Sequence, residues 1–414
     1  MKCKEVIMVM MNSQASKYVG IIFFLLLSSL CYGEWQLVYE SGTYDLRSVH
    51  FPADAQTGYV VGGSYNGQTI LKTTDGGASW DEQITGMTEG LNAVYFPENT
   101  EIGYAVGFDG VILKTTNGGN DWVEQVSGVG YTLHDVYFPV GCDTGYAVGG
   151  NGVILKTTEG GENWHTLTSG ATGTLMSIDF PVDAQTGYVV GSNGVWKTIN
   201  GGIDWTDMTA ATMYYTLEDV DFPTNTDIGY AVGWDMFIFK TVDGGVTWDS
   251  MRPHSNITDY AAIHAVDFPV NDQVGYFGGT GFEIYKTTDG CMTWHEQPVP
   301  IGIVYSICFP AGNDTGYAAC YDSRILKTTD GGAYIMENSC YKSRRFAFSV
   351  QPNPFTSTAR INVDEKTLFR IYDASGCLVA TCDNAIFGEG LIPGVYFIEP
   401  DKMSDQTMKV VKLR

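Results

Sequence analysis

Positive charge is scarce in this chain. Its 414 residues carry 23 Lys and Arg against 47 Asp and Glu, a net charge of −24. The imbalance sits in residues 34–335, where 37 acidic side chains face 10 basic ones for a net of −27. A field of that sign repels phosphate backbones and anionic lipid surfaces, which excludes nucleic acid as a partner. Long apolar runs are scarce too. The conspicuous one, Val19–Leu30, is too short to span a bilayer comfortably. With Lys17 before it and Gly33 closing a small-residue site, residues 1–33 read as a secretory signal peptide, and no membrane span is expected in the mature chain. The nine cysteines match no zinc spacing, and no phosphate loop or Ser-His-Asp arrangement is present, so neither metal nor cofactor is expected. Without Cys3 and Cys31 the cysteines number seven, so at least one thiol is unpaired within the chain. Cys308 and Cys320 fall on consecutive predicted strands, either bridged or as two buried thiols.

What the chain has in plenty is repetition. A Gly-Tyr pair recurs at Gly58, Gly103, Gly145, Gly187, Gly229, Gly275 and Gly316, in steps of 45, 42, 42, 42, 46 and 41 residues. A Phe-Pro pair precedes each one, from Phe51 to Phe309. A strand-rich unit of this period predicts the blades of a propeller. Each copy reads as four strands. In the clearest one, Leu91–Phe96 is the inner strand and Pro97 stops it. Gly103–Gly107 is the second strand and Val111–Thr115 the third. An Asn-Gly-Gly turn then leads to an outer strand opened by Trp122.

The seventh copy has no tryptophan after Asp330-Gly331-Gly332. The N-terminal segment from Glu34 supplies one. Trp35 stands 11 residues before Leu46, as Trp80 stands before Leu91 and Trp122 before Leu133. The chain therefore reads as an all-β, seven-bladed propeller over 34–340, closed by its N-terminal strand so that no sheet edge is left open.

The last turn of each copy resembles the Asp-box of bacterial neuraminidase repeats. Thr73, Asp75, Gly77, Ser79 and Trp80 match it in full, as do Thr241, Asp243, Gly245, Thr247 and Trp248. Other copies carry Asn117 with Trp122, Glu159 with Trp164, Asn200 with Trp205, Asp289 with Trp294, and Asp330. A short acid or amide that caps its own turn, over a packed tryptophan, is a structural device, so these residues are assigned to the scaffold. The whole repeat resembles seven-bladed propellers of the photosystem II stability and assembly factor family. That resemblance implies a fold and a protein partner held through a basic patch. Here only Arg47, Arg252 and Arg324 join the seven repeat lysines, which argues against a photosynthetic role.

After a linker at 341–345 the texture changes. Residues 346–414 read as short strands between Pro, Asn and Gly turns, a small β-sandwich. Pro352-Asn353-Pro354, the hairpin ending at Gly376, the strand with Gly394 and Tyr396, and the final Lys409 and Lys412 resemble the C-terminal sorting domain of type IX secretion cargo. The resemblance implies the type IX machinery as a partner and delivery outside a Gram-negative outer membrane.

Function is sought where copies differ. The residue after the first of each inner strand varies: Arg47, Asn92, His134, Met176, Glu218, His264 and Tyr305. Loops at the same end add Tyr65, Phe108, Asp109, Trp234, Asp235, Tyr321 and Arg324. Aromatics mixed with amides and charges at a channel mouth suit an extracellular protein or glycan ligand. No catalytic residue is assigned. Two alternatives remain. One is a sialidase-like glycoside hydrolase, for which Arg47, Arg252 and Arg324 would have to converge. The other is a periplasmic assembly factor.

Overall fold

The computed structural model describes residues 35–98, 100–209, 215–253, 261–281, 283–300, 302–310, 312–332, 349–351, 359–362, 368–373, 378–383, 386–387, 394–400 and 408–412. The signal segment 1–33, the linker 341–345, and Pro352, Asn353, Pro354 and Gly376 lie outside these residues. The chain divides into two compact units, Met1–Ile335 and Met336–Arg414.

The first unit holds seven four-stranded antiparallel sheets. Blade 2 shows the pattern: inner strand Leu91–Tyr95, second strand Gly103–Gly107, third strand Ile112–Thr115, outer strand Val123–Gln125. The other inner strands are Leu46–His50, Leu133–Val140, Leu175–Asp179, Leu217–Asp221, Ile263–Asp267 and Val304–Cys308, for blades 1 and 3 to 7. Neighbouring inner strands touch all the way round, with blade 1 meeting blade 7. The second strands are buried at nearly every position because a blade packs on each face. The Phe-Pro phenylalanine of the same blade explains the repeated glycine. A Cβ at Gly103 would fall 2.3 Å from the Phe96 ring.

Blades are fastened to one another by the most repeated side chains. The tyrosine of each Gly-Tyr pair stacks on the Phe-Pro phenylalanine of the next blade, with centroids 3.7 Å apart for Tyr188–Phe222 and 4.3 Å for Tyr146–Phe180. Tyr317 on Phe51 completes the circle at 3.9 Å. Such pairs add about 0.5–1.5 kcal/mol each beyond the area they bury. The repeat lysine follows the same direction. Lys156 Nζ donates to the Gly201 carbonyl at 2.7 Å, and Lys72, Lys114, Lys197, Lys240, Lys286 and Lys327 reach the matching glycine of the blade that follows. All seven propeller lysines thus serve the ring.

Gln36–Glu40 pairs antiparallel with the third strand of blade 7, Arg324–Thr328. Trp35 is buried, meets Phe309 edge-on at 5.7 Å, and donates from Nε1 to Gln297 at 2.8 Å. One detail departs from the sequence reading, and one open alternative is decided. In blade 3 the inner strand runs through Pro139 to Val140 instead of stopping, and the register shifts there, so the proline sits at a bulge where its missing N–H is harmless. Cys308 and Cys320 are both free thiols; burial pushes Cys308 up to about 12.

The second unit has two antiparallel sheets. One orders Ser349–Gln351, Ala359–Asn362 and Ile386–Phe387; the other orders Leu378–Asp383, Leu368–Asp373, Gly394–Pro400 and Met408–Lys412. Gly394 pairs with Lys412, Tyr396 with Val410, and Lys409 with Phe397.

Candidate functional site

Each inner strand begins with an irregularity. Register with the second strand shifts between Leu46 and Ser48, and between the matching residues of the other six blades. A bulge of this kind re-aims a side chain. Here it lets two consecutive residues face the axis, which an unbroken strand forbids. The wall therefore carries Arg47 with Ser48, Asn92 with Ala93, His134 with Asp135, Met176 with Ser177, Glu218 with Asp219, His264 alone, and Tyr305 with Ser306. They enclose a cavity of about 170 Å³. The structure thus brings together Arg47, Asn92, His134, Glu218, His264 and Tyr305.

The mouth is chemically lopsided. On blade 1, the Arg47 guanidinium lies 5.8 Å from the ring centroids of both Phe108 and Tyr305. Its Nε is buried without a hydrogen-bond partner, and it forms no ion pair with the described residues. Burial holds the His134 imidazole below its ordinary range; Glu218 opposes this and Arg47 adds to it. Across the mouth, Glu218 accepts a 2.6 Å hydrogen bond from Trp234 Nε1, and its other oxygen lies 3.9 Å from His264 Nδ1. Asn92 spends its Nδ2 on the Leu133 carbonyl at 2.8 Å.

The remaining residues assigned to this end have other surroundings. Tyr65 packs on Phe108 at 4.3 Å, and Tyr321 stands exposed. Asp109 and Asp235 occupy left-handed turn positions, with φ of 53° and 56°, and Asn151 and Asp322 do the same at 58° and 61°. Short polar side chains are the non-glycine residues that tolerate this backbone, so local geometry accounts for them. Arg324 pairs with Glu40 at 2.7 Å and Asp322 at 3.4 Å and does not line the cavity. Arg252 covers the Phe237 ring at 3.7 Å. The three arginines have three different settings.

Asp135 and Asp219 of the wall belong to a larger set of carboxyl groups that the sequence reading did not assign. Asp135 accepts from the Ile178 amide at 2.9 Å, Asp179 from Phe222 at 2.9 Å, Asp219 from Val266 at 2.9 Å, Asp221 from Phe268 at 2.7 Å and Asp267 from Phe309 at 2.7 Å. In each case the acid of one blade satisfies an N–H of the next, either within its inner strand, as at Ile178 and Val266, or directly after it, as at Phe222, Phe268 and Phe309. Burial raises Asp135, Asp179 and Asp267 to about 7 and Asp219 to about 6. Burial also lowers His50, which meets the Phe96 carbonyl, to about 4. A signal was present: Asp-Phe-Pro closes three successive inner strands, at Asp179, Asp221 and Asp267.

At the opposite end, the turns are self-contained. Asp75 accepts from the Ser79 amide at 2.9 Å and hydroxyl at 2.7 Å, while the Gly77 amide donates to Thr73 at 2.8 Å. Asp243 and Asp289 repeat this with Thr247 and Thr293. Where the acid is replaced, a partner moves to compensate: Asn117 donates to Asp121 at 2.8 Å, Asn200 to Asp204 at 2.9 Å, and Glu159 accepts from Asn163. Trp80, Trp122, Trp164, Trp205 and Trp248 pack edge-on against the Phe-Pro phenylalanine of their own blade; Trp294 uses Phe277. Asp330 bonds Thr328.

The family model described as photosynthesis system II assembly factor YCF48 matches residues 27–128. Among solved structures, YCF48 bound to a D1 peptide is 19% identical with a TM-score of 0.59, covering 72% of this chain and 96% of its own. YCF48 from Cyanidioschyzon merolae is 20% identical with a TM-score of 0.57, covering 71% and 98%. The WD40 propeller domain of Doa1 reaches 0.57 at 11% identity, covering 71% and 96%. No curated protein matches the chain. The propeller resembles the photosystem II assembly factor in fold; at these identities the likeness extends to fold alone.

Proposed function

We propose that this chain is a secreted propeller that binds an extracellular protein at its channel mouth without catalysis. One observation carries the reading: seven bulged positions carrying six different residue types meet at one cavity on a scaffold that is otherwise repeated. The peptide-bound relative supports a protein ligand over a glycan, since a propeller of this fold holds a peptide. The scatter of Arg47, Arg252 and Arg324 counts against the sialidase-like alternative. The N-terminal strand is read as the clasp of the ring, supported by its pairing with blade 7. The second unit is read as a β-sandwich that directs export through the type IX machinery, on the strength of its sequence motifs. That destination counts against a periplasmic assembly role.

The test has two arms. Glycan arrays and an extracellular-protein pull-down are probed with the wild-type chain, and fluorogenic sialosides are assayed for turnover. Protein retention without turnover supports the reading; steady turnover overturns it. Deletion of 346–414 is expected to leave the propeller in the periplasm, and normal surface delivery of that truncation would sink the sorting assignment.

A further inference from the structure

We propose that Arg47 anchors a single carboxylate of a bound peptide, and that the mouth selects segments in which that acid is isolated among neutral or basic residues. This rests on the protein-binding reading and names the chemistry that the site recognises.

The ten propeller cations have distinct fates. Seven lysines donate to glycine carbonyls of the next blade, Arg324 is ion-paired, and Arg252 covers a ring. Arg47 alone among them faces the axial cavity, with a buried Nε that no described residue satisfies. A guanidinium at the cavity wall, set between two aromatic faces and without an ion pair among the described residues, is held ready for a planar anion. Phe108 and Tyr305 supply those faces. His134, kept neutral by burial, adds no competing charge beside it.

The surroundings limit the anion to one. Glu218 stands across the mouth, engaged with Trp234, and Asp135 and Asp219 line the wall next to it. The cleft, about 170 Å³ in volume, has room for the end of a side chain or a chain terminus. A second negative charge would meet Glu218 and the net negative charge of the propeller. Basic flanking residues would meet the same field favourably.

The experiment uses a synthetic library of random octapeptides, made once as C-terminal acids and once as C-terminal amides, panned on the purified chain. Retained peptides are expected to carry one acidic residue with neutral or basic neighbours. Changing that acid to its amide should weaken binding by about tenfold or more. Preference in both libraries identifies a side-chain carboxylate, and preference confined to the free acids identifies the terminus. Arg47→Gln should bind the acid and amide forms within about twofold of each other, with an unchanged melting temperature, because the wild-type Nε contributes no hydrogen bond to the fold. A readout without any variant is the Arg47 Nε–H resonance, expected to shift with a retained peptide and not with its amide counterpart. Retained peptides without acid preference, a preference that survives Arg47→Gln, or an unmoved resonance overturn the inference and leave the protein-binding reading standing. Retention of no peptide at all overturns both.

Discussion

The two ends of the propeller are built from the same strands and obey opposite rules. At the Asp-box end, seven copies converge on one solution. Tyrosine stacks on the next blade's phenylalanine, lysine reaches the next blade's glycine carbonyl, and the turn caps itself even where Asp75 becomes Asn117 or Glu159. At the mouth, the same bulge recurs seven times and presents side chains of six different types. On the proposed function, the Asp-box end serves fastening alone, whereas the mouth adds recognition to the inter-blade bonds of Asn92, Asp135 and Asp219. One end can be held constant while the other is free to specialise.

Substitutions should split along that line. The largest effect is expected at the ring fasteners: Trp35→Ala or Tyr188→Ala should destabilise by about 3–5 kcal/mol, measured by denaturant unfolding. A truncation removing Glu34–Tyr44 with an unchanged melting temperature would contradict the role given to the N-terminal strand. Lys156→Met should cost less, about 1–2 kcal/mol, since its ammonium bond to Gly201 is partly solvated.

Acidity should distinguish the two sets of aspartates by sign. Asp135, Asp179 and Asp267 titrate near 7 in the fold against about 3.9 in an unfolded chain. The unfolded chain loses its protons first, so their contribution to stability falls as pH rises from about 4 to about 7 and is flat above. Asp75 and Asp289 are held down to about 2 by Ser79 and Thr293. Their contribution is present above about 4 and is lost as pH falls toward 2. Melting temperatures should therefore be higher at pH 5 than at pH 8, then drop on further acidification. Asp179→Asn should flatten the upper limb, and Asp75→Ala should soften the lower one. A chain more stable at pH 8 than at pH 5 would refute the first assignment. The smallest effects on stability belong to the mouth: Trp234→Ala, His134→Ala and Tyr321→Ala should each stay within about 0.5 kcal/mol while weakening binding.

Much of this was legible in the residues, for a physical reason. A 42-residue period fixes where each strand starts, so counting from each inner strand's opening apolar residue located the axial ring, including Arg47 and Glu218. The 11-residue spacing from Trp35 likewise placed the N-terminal segment beside Arg324–Thr328. What stayed hidden were contacts between blades. The repeat lysines were visible as charges, but nothing in one copy says that the acceptor is the next copy's turn. Asp109 and Asp235 were assigned to a ligand because backbone φ is not written in the sequence. Arg324 was assigned likewise because its partner Glu40 lies 284 positions away.

The most direct test of the separation is one chain carrying Arg47→Gln, His134→Ala, Glu218→Gln, His264→Ala and Tyr305→Ala together. Its melting temperature and its retention of the peptides and extracellular proteins held by the wild-type chain would be measured side by side. The expected result is a melting temperature within about 3 °C of wild type with retention lost. Full retention by this variant, or loss of retention produced instead by Asp75→Ala and Asp243→Ala in a chain that remains folded, would contradict the assignment of recognition to the mouth.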